Sequence, residues 1–151
     1  MVSTDTFLQD SALLIKKVIT DNITDPISNS RPFDSKFVMT SYPARKAIYP
    51  LITIRIDGVP AMLKMGMRSE LRYTTVPIEV RVWARNEKER DILTQNIINI
   101  LRTNEFGTGS TSDTNELHDF NLVSSVPVDE TGIEGIKSMV MTFNYFFVLG
   151  S

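Results

Sequence analysis

One histidine, His118, and no cysteine stand among the 151 residues of this chain. A lone imidazole cannot build the histidine-rich clusters that hold zinc, and the absence of thiols removes disulfides, thiolate metal sites and cysteine nucleophiles. His118 is followed by Asp119 at the start of an expected strand, where a strand-edge role outweighs a catalytic one. Carboxylates sit close together at Glu87/Glu89, Asp113/Glu116 and Asp129/Glu130. Acid–base chemistry would need them in a cleft, with surroundings that drive two pKa values apart. They fall at a helix start and in loops, so solvated surface is expected. The run Phe106-Gly-Thr-Gly-Ser-Thr-Ser112 is superficially like a phosphate loop, but it lacks the Gly-Lys-Ser/Thr ending and follows a helix instead of a strand. It reads as a linker whose composition suits a segment that orders on assembly. Asn22-Ile-Thr24 matches a glycosylation acceptor, which has no consequence without secretion. Asp5 and Asp10, with no basic region, precede Leu13-Leu14-Ile15, so no secretory leader is expected. The expectation is a non-enzymatic protein with no catalytic residue, no metal and no cofactor.

Two groups of residues point instead to partner contacts. Met62, Leu63, Met65 and Met67, with Lys64 and Arg68 among them, lie in the segment 58–70 between two expected strands. That segment is too long for a tight turn and reads as a projecting hairpin arm. Methionine-rich apolar patches that face outward mark adaptable interfaces; the alternative is an arm folded back over the protein's own core. The second group is the end of the last strand. Val140, Phe146 and Val148 make its second face apolar, as expected either of contact with another subunit or of a central strand. Phe106 in the 103–116 loop completes the candidate interface.

The elements that must position these groups follow from periodicity. Leu8, Ala12, Ile15 and Ile19 form one stripe over 4–20, with Phe7, Ser11, Leu14 and Val18 beside it, and predict a first helix. A loop with Pro26 and Pro32 covers 21–34, and 36–42 is a short apolar run, a candidate strand ended by Pro43. Ile52, Ile54 and Ile56 alternate with Thr53, Arg55 and Asp57. Val76, Ile78, Val80, Val82 and Ala84 alternate with Glu79, Arg81 and Trp83. Both patterns predict strands with one buried face. Asn86 and Glu89 approximate a capping box at the head of a helix over 86–102, whose stripe is Leu93, Ile97, Ile100 and Leu101. Two more strands are expected over 119–127 and 136–149. The order predicts an α+β domain spanning 1–151: a single, mainly antiparallel sheet with two helices on one face and the projecting arm.

The length suits one domain with its own core, and the longest apolar run is far short of the roughly 20 residues a membrane span requires. Composition is that of an ordinary globular protein, 42% apolar and 23% charged. The formal net charge of −2 is unevenly divided. Residues 1–85 hold 12 Lys/Arg against 8 Asp/Glu, a balance of +4; residues 86–151 hold 4 against 10, a balance of −6. Such asymmetry complements a neighbouring copy, steers a charged ligand, or is chance clustering on a solvated surface. A dedicated nucleic-acid binder would be basic; this chain has a pI of about 5.4.

Tyr49-Pro-Leu-Ile-Thr-Ile-Arg-Ile-Asp-Gly58, a variable arm, Val76-Pro-Ile-Glu-Val-Arg-Val-Trp-Ala84 and the helix Lys88-Glu-Arg-Asp-Ile-Leu-Thr-Gln-Asn-Ile-Ile-Asn-Ile-Leu101 together carry a resemblance. This arrangement resembles the tail-completion, or tail-terminator, and related neck proteins of tailed phages and tailed archaeal viruses. The resemblance is recognisable over 49–101 and follows in order from 4 to 149, and the 21–36 loop departs from it. It implies a structural virion protein at the tail–neck junction, present in the host cytoplasm before assembly. Its partners would be itself in a ring, typically hexameric, then the tail tube protein and the neck or connector protein, with DNA passing the lumen without specific binding. Residues 62–68 would then reach a neighbouring subunit or ring, and the 103–116 loop would order against tube or neck. The reading from another class is a small binding or assembly-chaperone module acting as a monomer or dimer.

Overall fold

The computed structural model describes residues 7–32, 35–41, 47–57, 61–64, 72–103, 118–129 and 135–149. In chain order these form α1 (Phe7–Asn22), β1 (Val38–Met39), β2 (Leu51–Ile56), β3 (Ala61–Lys64), β4 (Arg72–Ala84), α2 (Glu87–Thr103), β5 (His118–Asp129) and β6 (Lys137–Leu149). The strands make one six-stranded sheet in the order β1-β2-β4-β6-β5, with β3 also paired to β4. Every pairing is antiparallel except the two-residue contact of β1 with β2.

The α+β architecture with two helices over one sheet face follows from the alternation. On the helix side lie Ile52 and Ile54 of β2, Val76 to Ala84 at alternate positions of β4, and Met141, Phe143 and Tyr145 of β6. Ile15, Val18 and Ile19 of α1 and Leu93, Ile97 and Leu101 of α2 close over them. Burying an aliphatic side chain of this size contributes about 1.5–3 kcal/mol, so this layer dominates the stability. A polar contact crosses it. The Tyr145 hydroxyl donates to Ser11 Oγ, with both residues wholly buried, and burial pushes the phenol's pKa up.

The helix ends are satisfied locally. Asn86 Oδ1 accepts the Glu89 amide at 2.9 Å, as its place before α2 demands. The Glu89 carboxylate reaches back one residue further than in a standard capping box, accepting the Arg85 amide at 3.2 Å. In α1 the last turn closes through Ile23 N–H to the Ile19 carbonyl, 2.9 Å, and Asn22 Nδ2 to the Val18 carbonyl, 2.8 Å.

The loop after α1 is pinned by Arg31. Its guanidinium forks onto the Asp25 carboxylate, donates to the Ile48 carbonyl at 2.9 Å and to the Pro50 carbonyl, and lies over the Phe37 ring at 5.4 Å. One side chain thus ties residues 25–37 to the approach of β2. Burial alone would raise the Asp25 pKa, but the bonds from Arg31 and the Ile27 amide, with the Arg31 charge, hold it below the ordinary value.

The segment expected to project behaves differently over its described part. β2 pairs with Ile78–Trp83 of β4, and β3 pairs with Arg72–Thr75 further along the same side. The two short strands therefore lie in line along β4. The far side of β4 at 72–75 is already paired with Phe146–Leu149 of β6. Residues 61–64 extend the sheet, and the projecting arm is not confirmed; 65–71 lie outside the described residues. Pro77 sits opposite the break between β2 and β3, where its carbonyl accepts the Asp57 amide at 2.9 Å. A residue's nitrogen and carbonyl point to the same side of a strand, so the proline nitrogen faces that junction. The ladder to β6 loses no donor. Among the described residues no helix is long and apolar enough to cross a membrane.

Candidate assembly surface

The helix-free face of the sheet is closed over part of its area by its own side chains. Glu79 lies 3.5 Å from the guanidinium nitrogens of both Arg55 and Arg81, and it is nearly buried. Arg81 stacks over Trp83 at 5.0 Å, and Trp83 Nε1 donates to Thr53 Oγ1 at 3.0 Å. Thr53 and Arg81 are register partners, as are Arg55 and Glu79, so the pairing of β2 with β4 alone brings this set together. Three charges in ion-pair contact and an indole hydrogen-bonded to Thr53 thus cover this part of the sheet.

The two edges of the sheet are less well covered. β5 pairs with β6 and, among the described residues, with no other strand. All of Asn121–Pro127 is exposed, including Leu122 at 40%, Val126 at 51% and Val123 at 57%. A register shift between Leu122 and Ser124 makes Val123 the extra residue of a bulge, and a second shift lies between His118 and Asn121. Leu122 pairs with Phe143 on the helix side, and Val126 pairs with Val140 on the other. Both faces of this strand are therefore open to contact.

On the opposite edge β1 is only two residues long, and Ile48 beside it is exposed. A cavity of about 500 Å³ opens there. Lys16 of α1 and Lys36, just before β1, enter it together with the hydroxyls of Ser35, Thr40 and Ser41. Its apolar wall is Met39, Ile48 and Leu51. No carboxylate stands among its described lining residues. A separate groove of about 660 Å³ runs along α2, between Ile92 and Ile100 on one side and Ile23 and Pro26 on the other, with Asn86, Asn96 and Asn99 at its rim.

The residues expected to form the interface are distributed unevenly. Met62, Leu63 and Lys64 lie in β3, laddered to Thr74, Tyr73 and Arg72. Phe146 lies in β6, in register with Thr75 on one side and His118 of β5 on the other. Met65, Met67, Arg68 and Phe106 lie outside the described residues. The last strand is an interior one, since β6 lies between β4 and β5. Of the paired carboxylates, Glu89 is committed to Arg85, whose hydrogen bonds lower its pKa, and Asp129 faces Lys137 in register. Among the described residues no group of three His, Asp or Glu side chains converges as metal ligands would. The β5 edge and the Lys16/Lys36 cavity were not singled out from the sequence. The available signal for β5 was the mixed run Leu122-Val-Ser-Ser-Val-Pro127, which does not alternate as a strand with one covered face should.

No protein-family model matches this chain, and no curated protein matches it in sequence.

Proposed function

We propose that this chain is a non-enzymatic structural protein of a tailed virus, assembling into a ring that terminates the tail tube and joins it to the neck below the head connector. The observation that carries this reading is β5. It is a twelve-residue strand at the margin of the sheet, with Leu122, Val123 and Val126 exposed. Exposed apolar side chains on an edge strand offer a surface that another chain can cover. The element order agrees with the sequence resemblance: a first helix, a Tyr-Pro strand, an alternating strand running directly into a helix, and a long closing strand. In this reading the tube and neck proteins meet the two ends of the ring, DNA passes through the lumen without specific contacts, and the protein resides in the virion at the tail–neck junction.

The test is the mass of the purified protein by light scattering on a sizing column, with negative-stain images of the peak, alone and with tail tube protein. Rings, or monomers that become rings with concentration or on tubes, support the reading. A protein that stays monomeric under all these conditions overturns it. The groove along α2 favours a second reading, a binding or assembly-chaperone module, and a stable dimer with no higher species would promote it.

A further inference from the structure

Two lysines share the cavity of about 500 Å³ at the β1 margin: Lys16 of α1, half-buried, and Lys36, exposed just before β1. Both also line a neighbouring cavity of about 410 Å³, so the two side chains stand together. Among the described residues, neither ammonium group is held by an ion pair or a hydrogen bond. The single described carboxylate lining either space, Asp25, is already forked by Arg31. The hydroxyls of Ser35, Thr40 and Ser41 face the larger cavity and likewise carry no side-chain hydrogen bond among the described residues. The walls are fixed by the backbone. Ser35 N–H donates to the Pro32 carbonyl at 3.0 Å, Ile52 N–H to the Phe37 carbonyl at 2.7 Å, and Arg31 holds the Ile48 carbonyl at 2.9 Å. Two like charges gathered in one recess repel each other, and a multiply charged anion turns that repulsion into attraction.

We infer that this cavity is a binding site for a small organic phosphate of nucleotide size. Its phosphoryl oxygens accept from Lys16, Lys36 and the hydroxyls, and its organic part lies against the apolar wall. The inference goes beyond the ring reading and does not rest on it. A phosphoryl group packs high charge and several acceptor oxygens into a small volume, and lysine serves it as a point-charge donor. A single carboxylate would leave one of the two ammonium groups uncompensated. A bare anion would leave most of the space empty, whereas the volume falls in the range of roughly 300–1,000 Å³ usual for small-molecule sites. The rest of the wall is Met39, Ile48 and Leu51, and a methionine thioether packs well against a flat ring. Duplex DNA is the poorer source of phosphate, because its backbone is followed by a basic stripe and not by two lysines in a recess. The acidic pI of about 5.4 agrees.

The test is calorimetric titration of the full-length protein with ADP in chloride buffer containing EDTA and no phosphate. Inorganic pyrophosphate, adenosine and a short DNA duplex are titrated in parallel. ADP is expected to bind with a Kd of about 1 mM or tighter, pyrophosphate more weakly, and adenosine not measurably. Lys16→Gln with Lys36→Gln is expected to weaken ADP at least about tenfold. Lys88→Gln with Arg102→Gln removes the same charge from exposed positions of α2 and is expected to leave the affinity within about twofold. Unchanged far-ultraviolet dichroism and melting establish that the variants fold. Should the first pair unfold, Lys36→Gln alone, at its exposed site, carries the test with an expected weakening of about threefold. Several results overturn the inference: no heat from ADP or pyrophosphate up to about 10 mM, equal losses in the two double variants, adenosine binding as well as ADP, or the duplex binding more tightly than ADP. Pyrophosphate binding as tightly as ADP overturns the part given to the apolar wall. Ring formation is read separately, so either result here leaves the ring reading where its own test puts it.

Discussion

Removing Arg31 tests the claim that one buried guanidinium holds the β1 margin to the body. Its side chain is only 5% exposed and the Asp25 carboxylate 15%, so Arg31→Ala strands a mostly buried anion and strips donors from the Ile48 and Pro50 carbonyls. Deleting one partner of a buried pair costs about 3–5 kcal/mol, and the residual exposure of Asp25 puts the expectation at the low end, about 3 kcal/mol. For a chain of this size that is a fall of about 6–12 °C in Tm. Arg31→Lys keeps the charge but loses the fork and the ring contact, so most of the loss should persist. The pH dependence is the sharper readout. In the wild type the hydrogen bonds from Arg31 and the Ile27 amide hold the folded-state pKa of Asp25 below its ordinary value. Its contribution is therefore present above the unfolded value and is lost as pH falls through the folded one. In Arg31→Ala only burial and the Ile27 amide remain, and burial raises the pKa. The variant's anion then costs stability at neutral pH, and the cost is relieved by protonation. The stability gap between the two proteins should narrow steadily from pH 7 toward pH 3, measured by urea denaturation followed by circular dichroism. A loss below about 1 kcal/mol, the worth of an exposed ion pair, or a gap that does not change with pH, would refute the clamp.

Three further outcomes are expected from the same denaturation assay. Tyr145→Phe removes a buried donor to Ser11 and should cost about 1–2 kcal/mol, and adding Ser11→Ala should recover part of it; strict additivity of the two would contradict the contact. Ile97→Ala, at a wholly buried position where α2 meets the sheet, should cost about 2–5 kcal/mol. Asn86→Ala should cost about 1 kcal/mol through loss of the α2 cap, with Glu89 amide exchange accelerated.

The parts of the fold that were legible in the sequence are those in which one residue's burial repeats at a fixed spacing. The isoleucines of β2, the valines of β4 and the stripe of α2 each declare their element because a single covered face forces the period. β1 was legible only as the apolar run 36–42, within which it lies, since two residues carry no period and its pairing depends on β2 lying beside it. The in-line placement of β3 was likewise hidden, because a strand paired to the far end of β4 and a protruding hairpin ask for the same residues. The polar alternates Thr53, Glu79 and Arg81 were placed on the outer face, but their near burial comes from pairing across the β2–β4 register, which no single strand contains. The β5 margin was missed for a related reason. Whether Leu122 and Val126 face a neighbour or solvent is decided by strand order, which is a property of the sheet and not of the segment.

The position of β6 has a consequence for how the protein is made. This strand follows the other described strands, yet it lies between β4 and β5 and pairs with β4 along thirteen register positions. During synthesis β4 must therefore wait with one entire side unpaired, its Val76–Val82 row lacking the Met141, Phe143 and Tyr145 that later cover its flank. The sheet cannot grow outward strand by strand; it must admit its central member last. Long-range pairing of this kind is slow and leaves apolar surface exposed meanwhile. Nascent chains that stall before Lys137 should be captured by chaperones or aggregate, whereas chains that have released β6 become competent all at once. The emergence of β6 thus sets the moment at which the two flanks of the sheet can close on one another.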